Sequence, residues 1–135
     1  MCIFCRIVNG ELPSHKIYED GDFIAILDIA PANVGHAIVI PKGHCENIHE
    51  LPEGIAEKLF PIAVRLSNAI RDAVSPDGLN ILQNNGEYAG QSVNHFHLHL
   101  IPRRKGDGFT LETRHIKPTP EEFEKTRNDI IRYVD

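Results

Sequence analysis

Three histidines alternate with apolar residues in one short stretch, His95-Phe96-His97-Leu98-His99-Leu100-Ile101-Pro102. Successive side chains of a β-strand point to opposite faces, so this pattern predicts a strand over 95–102 with the three imidazoles on one face. The apolar members then point into a core. Imidazole has an ordinary pKa that lets it act as nucleophile, proton donor or metal ligand near neutral pH. The stretch therefore predicts a reactive or metal-binding edge.

The spacing of these histidines limits what they do together. Side chains two residues apart on a strand lie about 7 Å apart, and those four apart lie about 13 Å apart, so the three are expected to divide at least two tasks. One alternative is a solvated strand face. Another is a zinc hydrolase with His97 and His99 as ligands and Asp28 recruited from elsewhere. A third makes one imidazole a nucleophile that attacks phosphorus and forms a labile N–P bond.

A second motif is the C-x-x-C pair formed by Cys2 and Cys5, in a chain with an odd total of three cysteines. In a reducing compartment such a pair is more typical of metal binding than of a disulfide framework. The competing interpretation is two reduced thiols at a loose N-terminus. The sequence therefore predicts a metal site here without excluding free thiols.

Length and charge narrow the class of protein. A chain of 135 residues fits one domain, which we expect over 1–135, with 106–135 as a C-terminal extension carrying a short helix. The formal net charge of −5 argues against nucleic acid as a partner, because its backbone is bound through many Lys and Arg contacts. The sequence has neither an apolar run long enough to cross a bilayer nor a leader pattern, so we expect a cytoplasmic protein without a membrane partner.

The elements that position these motifs follow from hydrophobic periodicity. The pattern predicts a short helix or turn at 6–13, strands at 15–19, 23–29, 35–41, 79–83 and 95–102, a long helix at 52–74 and a closing helix from Thr119. Pro61 predicts a kink inside the long helix. Together they predict an α+β fold with a mostly antiparallel sheet of about five strands, one long helix and shorter helices.

The histidine stretch matches the histidine-triad (HIT) signature, in which each of three histidines is followed by apolar residues. Gly35-His36-Ala37-Ile38-Val39-Ile40-Pro41-Lys42 is similar to the second histidine segment of that family, and Gly90-Gln91-Ser92-Val93 resembles its phosphate loop. The resemblance runs from Cys2 to about Phe109. It implies the HIT-like fold and the zinc-containing bacterial branch of the nucleotide-binding HIT hydrolases.

The resemblance implies catalytic roles for individual residues. His97 matches the histidine that attacks the α-phosphate, while His99 and His36 match those that contact the phosphate and assist proton transfer. Ser92 and Asn84 match polar residues near the phosphate and the leaving group. We therefore expect His97, His99, His36 and Ser92 to be catalytic.

The resemblance also implies how substrate is bound. Asp28 matches the position that accepts hydrogen bonds from ribose, and the loop around Gln91 offers donors to developing negative charge. The wall around the base corresponds to apolar positions, for which ordinary core packing is the alternative: Phe4, Ile7, Leu12, Ile26 and Ile29.

A structural zinc site, one per chain, is implied by the same branch of the family. Its ligands would be Cys2, Cys5, His44 and His95, two thiolates and two imidazoles that make a closed tetrahedral set. No catalytic cofactor is implied. Cys45 is surplus to this set, and we expect it to be a small buried residue.

The implied activity is that of a nucleotide hydrolase or transferase that cleaves at the α-phosphate through a nucleotidyl-histidine. The substrates would be purine nucleoside 5'-phosphoramidates, aminoacyl adenylates or dinucleoside polyphosphates, and a nucleoside monophosphate would be released. The alternative is a nucleotide-sensing or partner-binding module with vestigial turnover. A homodimer, with the long helix and the strand at Leu79 in contact, is also implied by the family.

Overall fold

A five-stranded antiparallel sheet and three helices make up the part of the chain that the structure describes. The computed structural model describes residues 2–134. Its elements are α1 (Ile3–Val8), β1 (Lys16–Glu19), β2 (Phe23–Leu27), β3 (Ala37–Pro41), α2 (Glu53–Val74), β4 (Gly78–Leu82), a 3₁₀ turn (Glu87–Ala89), β5 (Leu98–Arg103) and α3 (Pro120–Ile131). The strands lie in the order β1-β2-β3-β5-β4, and each neighbouring pair is antiparallel. The predicted α+β fold is confirmed.

Both faces of the central strands are covered, which explains why β2 and β3 are apolar without alternation. One face packs on α2 through a cluster that includes Phe23, Val39 and Leu66. The opposite face packs around Phe4 of α1 through the isoleucines of β2 and β3. The two helices thus hold opposite faces of the sheet, and α1 lies on the face away from the long helix.

The ends of the elements differ from prediction in places. The short helix spans Ile3–Val8, so the prediction over 6–13 was wrong about its start and its end. Gly10, with a φ of +75°, follows shortly after Val8, and its left-handed backbone does not continue a helix. The long helix is confirmed, and it continues through Pro61 without interruption. Its kink stays a prediction.

The predicted strand over 95–102 was wrong in its first half. β5 begins at Leu98, opposite Val39, and 93–97 is irregular. β3 ends at Pro41, which has no N–H to extend the ladder, and the N–H of Phe96 donates instead to the carbonyl of Cys45 at 2.8 Å. The apolar side chains of this stretch still point to one side although its first half is not a strand, since Phe96, Leu98 and Leu100 are all buried in the α2 cluster.

The C-terminal segment is exposed. The closing helix is confirmed as α3, and it begins with a capping box in which Thr119 Oγ1 accepts from Glu122 N and Glu122 Oε2 accepts from Thr119 N. No residue of α3 is buried within residues 2–134. Among the helices that the structure describes, none is long and apolar enough to cross a bilayer.

The loop that joins β2 to β3, residues 28–36, approaches the end of β5 closely. Asp28 Oδ1 accepts from the N–H of Ala30, a local turn that takes the chain out of the ladder after Leu27. Gly35 has a φ of +92°, and a Cβ built on it would lie 3.3 Å from both Pro102 Cγ and Val74 Cγ2. We call residues 28–36 the β2–β3 loop.

Gly35→Ala is expected to lower the free energy of unfolding by about 2–4 kcal/mol, because positive φ and overpacking each contribute. Gly10→Ala is a matched control with positive φ but open space, since no atom lies within 4 Å of its added Cβ. It should cost only about 1–2 kcal/mol. Urea unfolding of both variants measures the difference, and equal losses would contradict the close packing at Gly35.

Candidate active site

One cavity of about 360 Å³ lies between α1, the sheet and the segment before β5. Its wall is largely apolar and includes every residue predicted to surround the base: Phe4, Ile7, Leu12, Ile26 and Ile29. Ile29 is 84% exposed and so lies at the rim. The polar groups that reach the cavity are Ser14, Asp28, Ser92, His97 and His99. A mostly apolar pocket with a few polar groups is the usual form of a small-molecule site.

Three predicted site residues do not line this cavity. Gln91 is buried, and its amide bonds only main-chain groups: Oε1 accepts from Gly86 N at 2.7 Å, and Nε2 donates to Glu46 O and Val93 O. Asn84 Nδ2 donates to the carbonyl of Gly90. Both side chains therefore shape the loop that carries Ser92, and any direct contact of theirs with substrate stays a prediction. The third residue, His36, lies behind His99.

Main-chain contacts fix the tautomer of His97. Its Nδ1 lies 2.7 Å from the carbonyl oxygen of His95, which only accepts, so Nδ1 carries the hydrogen. Neutral His97 then has its lone pair on Nε2, the nitrogen across the ring. The side chain is 5% exposed and packs edge-on against Phe4, with 5.0 Å between ring centroids. His97, which the family resemblance predicts to be the nucleophile, is thus held with a lone pair on Nε2.

His36 and His99 form a second fixed pair. The N–H of Ala32 donates to His36 Nδ1 at 3.0 Å, so neutral His36 carries its hydrogen on Nε2. That nitrogen lies 2.9 Å from His99 Nδ1 and 3.5 Å from Asp28 Oδ2. His99 Nδ1 therefore accepts, and neutral His99 has its own hydrogen on Nε2. His99 lines the cavity, so this chain of contacts directs an N–H donor to the site.

Burial keeps this pair uncharged. Desolvation, reinforced by His97 and His36, lowers the pKa of His99 to about 4 although Asp28 opposes the shift. Desolvation also lowers the pKa of His36, again opposed by Asp28. At pH 7 the site therefore places a neutral hydrogen-bond donor, His99, beside His97, and the centroids of the two rings are 4.8 Å apart. Such an arrangement can attack an electrophile and stabilise the charge that develops.

The four predicted zinc ligands lie together beside the cavity. One ligand atom from each of Cys2, Cys5, His44 and His95 falls within 4.8 Å of the others. Cys2 Sγ lies 3.6 Å from His95 Nδ1, Cys5 Sγ lies 3.4 Å from His44 Nδ1, and the two imidazole nitrogens are 3.1 Å apart. Tetrahedral zinc with two sulfur and two nitrogen ligands separates its ligand atoms by about 3.3–3.8 Å. The donor set therefore fits zinc.

The tautomer of His95 also suits a metal. Its Nε2 lies 2.8 Å from the carbonyl of Pro41 and so donates to it, which leaves the Nδ1 lone pair facing the cysteines. A ligating histidine commonly donates its other ring hydrogen in this way. His95 is fully buried, so no water competes for this bond.

A second group of potential ligands, Asp28, His36 and His99, also falls within 4.8 Å. Its tautomers are wrong for a metal, because His36 carries a hydrogen on Nε2 as long as Ala32 donates to Nδ1. His97 belongs to neither group found among residues 2–134. The zinc-hydrolase alternative, with His97 and His99 as ligands, therefore has less support than covalent chemistry.

Sequence reasoning missed two contributors to the site. The main-chain N–H of Ala32 sets the tautomer of His36, and no residue type signals such a donor. Ser14 reaches the cavity from the segment after α1, where Pro13 was taken only as a helix stop. The first depends on the conformation of the β2–β3 loop, and the second on how the segment after α1 meets the sheet.

Acidification from pH 7 to pH 5 should destabilise the protein more than it destabilises the His99→Gln variant. The pKa of His99 is about 4 when folded and about 6.5 when unfolded, so between these values the unfolded chain binds the proton more tightly. The free energy of unfolding therefore falls as the pH falls through that window. Urea unfolding at both pH values measures the loss. Protonation of the zinc ligands affects both proteins alike, and equal losses would contradict a depressed pKa for His99.

Comparison with proteins of known sequence identifies relatives of this chain. The HIT domain matches residues 9–106. The chain is 52% identical to Protein hit of Bacillus subtilis over 109 residues. This aligned region covers 80% of this chain and 75% of that protein. It is also 46% identical to an adenosine 5'-monophosphoramidase of Saccharomyces cerevisiae over 103 residues, and this aligned region covers 76% of this chain and 63% of that protein.

Solved structures agree as well. A crystal structure of a HIT family member from Bacillus subtilis superposes with a TM-score of 0.93 at 44% identity, over 99% of this chain and 97% of that one. A zinc-bound histidine triad family protein from Mycobacterium smegmatis matches with a TM-score of 0.75 at 38% identity, over 97% of this chain and 94% of that one. With the histidine cluster in the arrangement described above, this chain belongs to the HIT domain family.

Proposed function

We propose that this protein is a nucleotide hydrolase or transferase that cleaves at the α-phosphate, with His97 as the covalent nucleophile. The observation that carries the proposal is the pairing, on the wall of one cavity, of His97 with its lone pair on Nε2 and His99 with its hydrogen on Nε2. For neutral rings, both states follow from hydrogen bonds, from His97 Nδ1 to the carbonyl of His95 and from His36 Nε2 to His99 Nδ1. Neutral imidazole is an effective nucleophile toward phosphorus.

The reaction has two displacements. His97 Nε2 attacks the α-phosphorus, the bond from phosphorus to the leaving group breaks, and the leaving group departs with the bonding pair and takes up a proton. Water then attacks the same phosphorus and gives up a proton, while the N–P bond breaks and its electron pair returns to Nε2. The products are the leaving group and a nucleoside monophosphate, and the enzyme is regenerated without a catalytic cofactor.

The remaining cavity residues bind the rest of the substrate. His99 Nε2–H donates to a phosphate oxygen, Ser92 lies at the same wall, and main-chain amides near it add further donors. Asp28 Oδ2 accepts from a ribose hydroxyl, and the apolar wall around Phe4 encloses the base. The name of the yeast relative favours purine nucleoside 5'-phosphoramidates over aminoacyl adenylates and dinucleoside polyphosphates as substrates.

Zinc belongs to the same proposal, as one structural ion per chain held by Cys2, Cys5, His44 and His95. The zinc-bound relative from Mycobacterium smegmatis supports it. A reducing compartment such as the cytoplasm would keep both thiols available. Because Cys2 and Cys5 flank the start of α1, the ion would anchor the helix that forms one wall of the cavity.

A homodimer is the proposed assembly. β4 is an edge strand of the sheet, and Ile81 on it is 44% exposed. On α2, Phe60 and Val64 are each 58% exposed. An edge strand and exposed apolar side chains are features that a partner subunit would cover.

His97→Ala should abolish formation of a nucleotide adduct and lower kcat by several orders of magnitude, as loss of a covalent nucleophile does in other enzymes. The test uses an adenosine phosphoramidate and a diadenosine polyphosphate, with rapid quenching and mass spectrometry to detect nucleotide on the protein. His49→Ala, an exposed histidine elsewhere on the surface, is the matched control and should behave as wild type.

Two outcomes would contradict this function. Absence of any adduct in the wild type under single-turnover conditions would exclude the covalent step. Tight binding of a nucleoside monophosphate, with equal turnover in wild type and His97→Ala, would instead indicate a nucleotide-sensing module.

Protein purified without chelators should contain one zinc per chain. Cys5→Ser should carry less than half of that zinc and melt about 10 °C lower, since metal binding is coupled to folding. Cys45→Ala is the control, because Cys45 is buried in the α2 cluster and should keep its zinc. Elemental analysis and thermal unfolding measure both properties. Stoichiometric zinc in Cys5→Ser would rule out this ligand set.

A further inference from the structure

Asp107, in the turn that follows β5, is a hydrogen-bond acceptor for three separate segments. Its carboxylate accepts from Arg103 Nε and Nη2, from the N–H groups of Arg104 and Phe109, and from Asn33 Nδ2. The side chain is only 6% exposed. These partners hold the pKa of the carboxyl well below its usual range, with Arg103 as the largest cause. Asp107 is therefore a fixed anion at the end of the sheet.

Asn33 connects this anion to the β2–β3 loop. Its side-chain amide uses both hydrogens, donating to Asp107 Oδ2 at 2.8 Å and to the carbonyl of Pro102 at 2.9 Å. Gly35, which lies in the same loop, packs against Pro102 of β5 and Val74 of α2. The turn is thus fastened to the end of β5 on both sides of Val34.

The fastened turn faces the catalytic histidines. The carbonyl of Asn33 accepts from the N–H of His36 at 3.1 Å, and the neighbouring N–H of Ala32 donates to His36 Nδ1 at 3.0 Å. Ala32 itself is exposed, so water competes for this hydrogen bond unless the turn holds its geometry. That main-chain donor occupies the lone pair of His36 Nδ1, while Asp28 Oδ2, 3.5 Å from His36 Nε2, favours a hydrogen on Nε2. The Ala32 N–H is the one of these two groups that lies in the turn held by Asn33.

We propose that Asn33, held by Asp107, is a positioning residue that fixes the Nε2–H tautomer of His36 and thereby directs the Nε2–H of His99 into the cavity. The inference rests on the proposed function for its catalytic consequence, whereas the tautomer itself is a property of the folded protein. No proton leaves His36 in this role. Its Nε2–H only keeps His99 Nδ1 as an acceptor.

Loss of the tether has a specific consequence. If Ala32 no longer donates, His36 can place its hydrogen on Nδ1, and His99 can then donate from Nδ1 to His36 Nε2. His99 Nε2 would present a lone pair to the phosphate instead of a hydrogen. Such a change weakens stabilisation of the transition state more than it weakens binding, so kcat should fall while KM changes little.

The test measures the tautomer and the kinetics in the same variants, using protein purified without chelators. Two-bond ¹H–¹⁵N NMR spectra report which imidazole nitrogen carries hydrogen. In the wild type His36 should show a protonated Nε2 and an unprotonated Nδ1. Asn33→Ala should shift both signals toward the averaged range of mixed tautomers and lower kcat by about tenfold to a hundredfold, with KM within about threefold.

Two further variants separate positioning from stability. Ala32→Pro deletes the donor itself and should reproduce the tautomer shift and the loss of kcat. Asn80→Ala is the matched control, because it removes the 2.7 Å bond from Arg103 Nη1 on the far side of the Asp107 cluster and leaves Asn33 in place. Asn80→Ala should lower stability in urea unfolding through loss of that bond, but it should change neither the tautomer of His36 nor kcat.

An unshifted Nε2–H tautomer in both Asn33→Ala and Ala32→Pro would overturn the inference. So would a shifted tautomer with unchanged kcat, because positioning would then have no catalytic effect. If the wild type turns over no nucleotide, the proposed function fails, and the NMR spectra alone decide whether Asn33 fixes the tautomer.

Discussion

The chemistry of this protein depends on which nitrogen of each buried imidazole carries the hydrogen. A buried ring must satisfy both nitrogens, and here main-chain groups satisfy one nitrogen in each of His95, His97 and His36. Carbonyls take the hydrogens of His95 and His97, while an amide occupies the lone pair of His36. The remaining nitrogen of each of these rings therefore offers either a lone pair, as in His95 and His97, or a hydrogen, as in His36.

His95 joins the two halves of the site. Its Nδ1 belongs to the cysteine cluster, and its carbonyl accepts the hydrogen of His97 Nδ1. A strand over 95–97 would have used that carbonyl in a ladder or directed it to a neighbouring strand. Because β5 begins only at Leu98, the carbonyl is free to accept from His97 Nδ1. The irregular segment before β5 is thus what allows one residue to serve both sites.

The two faces of the sheet have separate tasks. The α2 face supplies most of the buried core, while the α1 face supplies the cavity wall and two of the four metal-binding side chains. α1 has only six residues, and of these only Phe4 is buried. So short a helix gains little stability from its own hydrogen bonds. The proposed zinc would anchor α1 through Cys2 and Cys5, which gives such an ion a physical role in a fold that already has a core.

The end of β5 holds the β2–β3 loop through the side chain of Asn33. Pro102, like Pro41 at the end of β3, has a carbonyl that accepts from a side chain important to the site. Both prolines lie outside the β3–β5 pairing, which joins 37–39 to 98–100, although Pro41 still pairs with Phe23 and Pro102 with Leu79. Their carbonyls accept from His95 and Asn33 rather than from the facing strand.

The sequence by itself determined the α+β fold, the long helix and four of the five strands to within two residues, because apolar periodicity reports burial directly. The alternating histidines also directed attention to His97 and His99, and the resemblance to the HIT family pointed to Cys2, Cys5, His44 and His95, which the structure brings together. Only the tertiary structure decided where β5 begins and which imidazole nitrogens carry hydrogen. Those features depend on main-chain groups of Ala32, Cys45 and Pro41, and main-chain donors and acceptors are the same in almost every residue type.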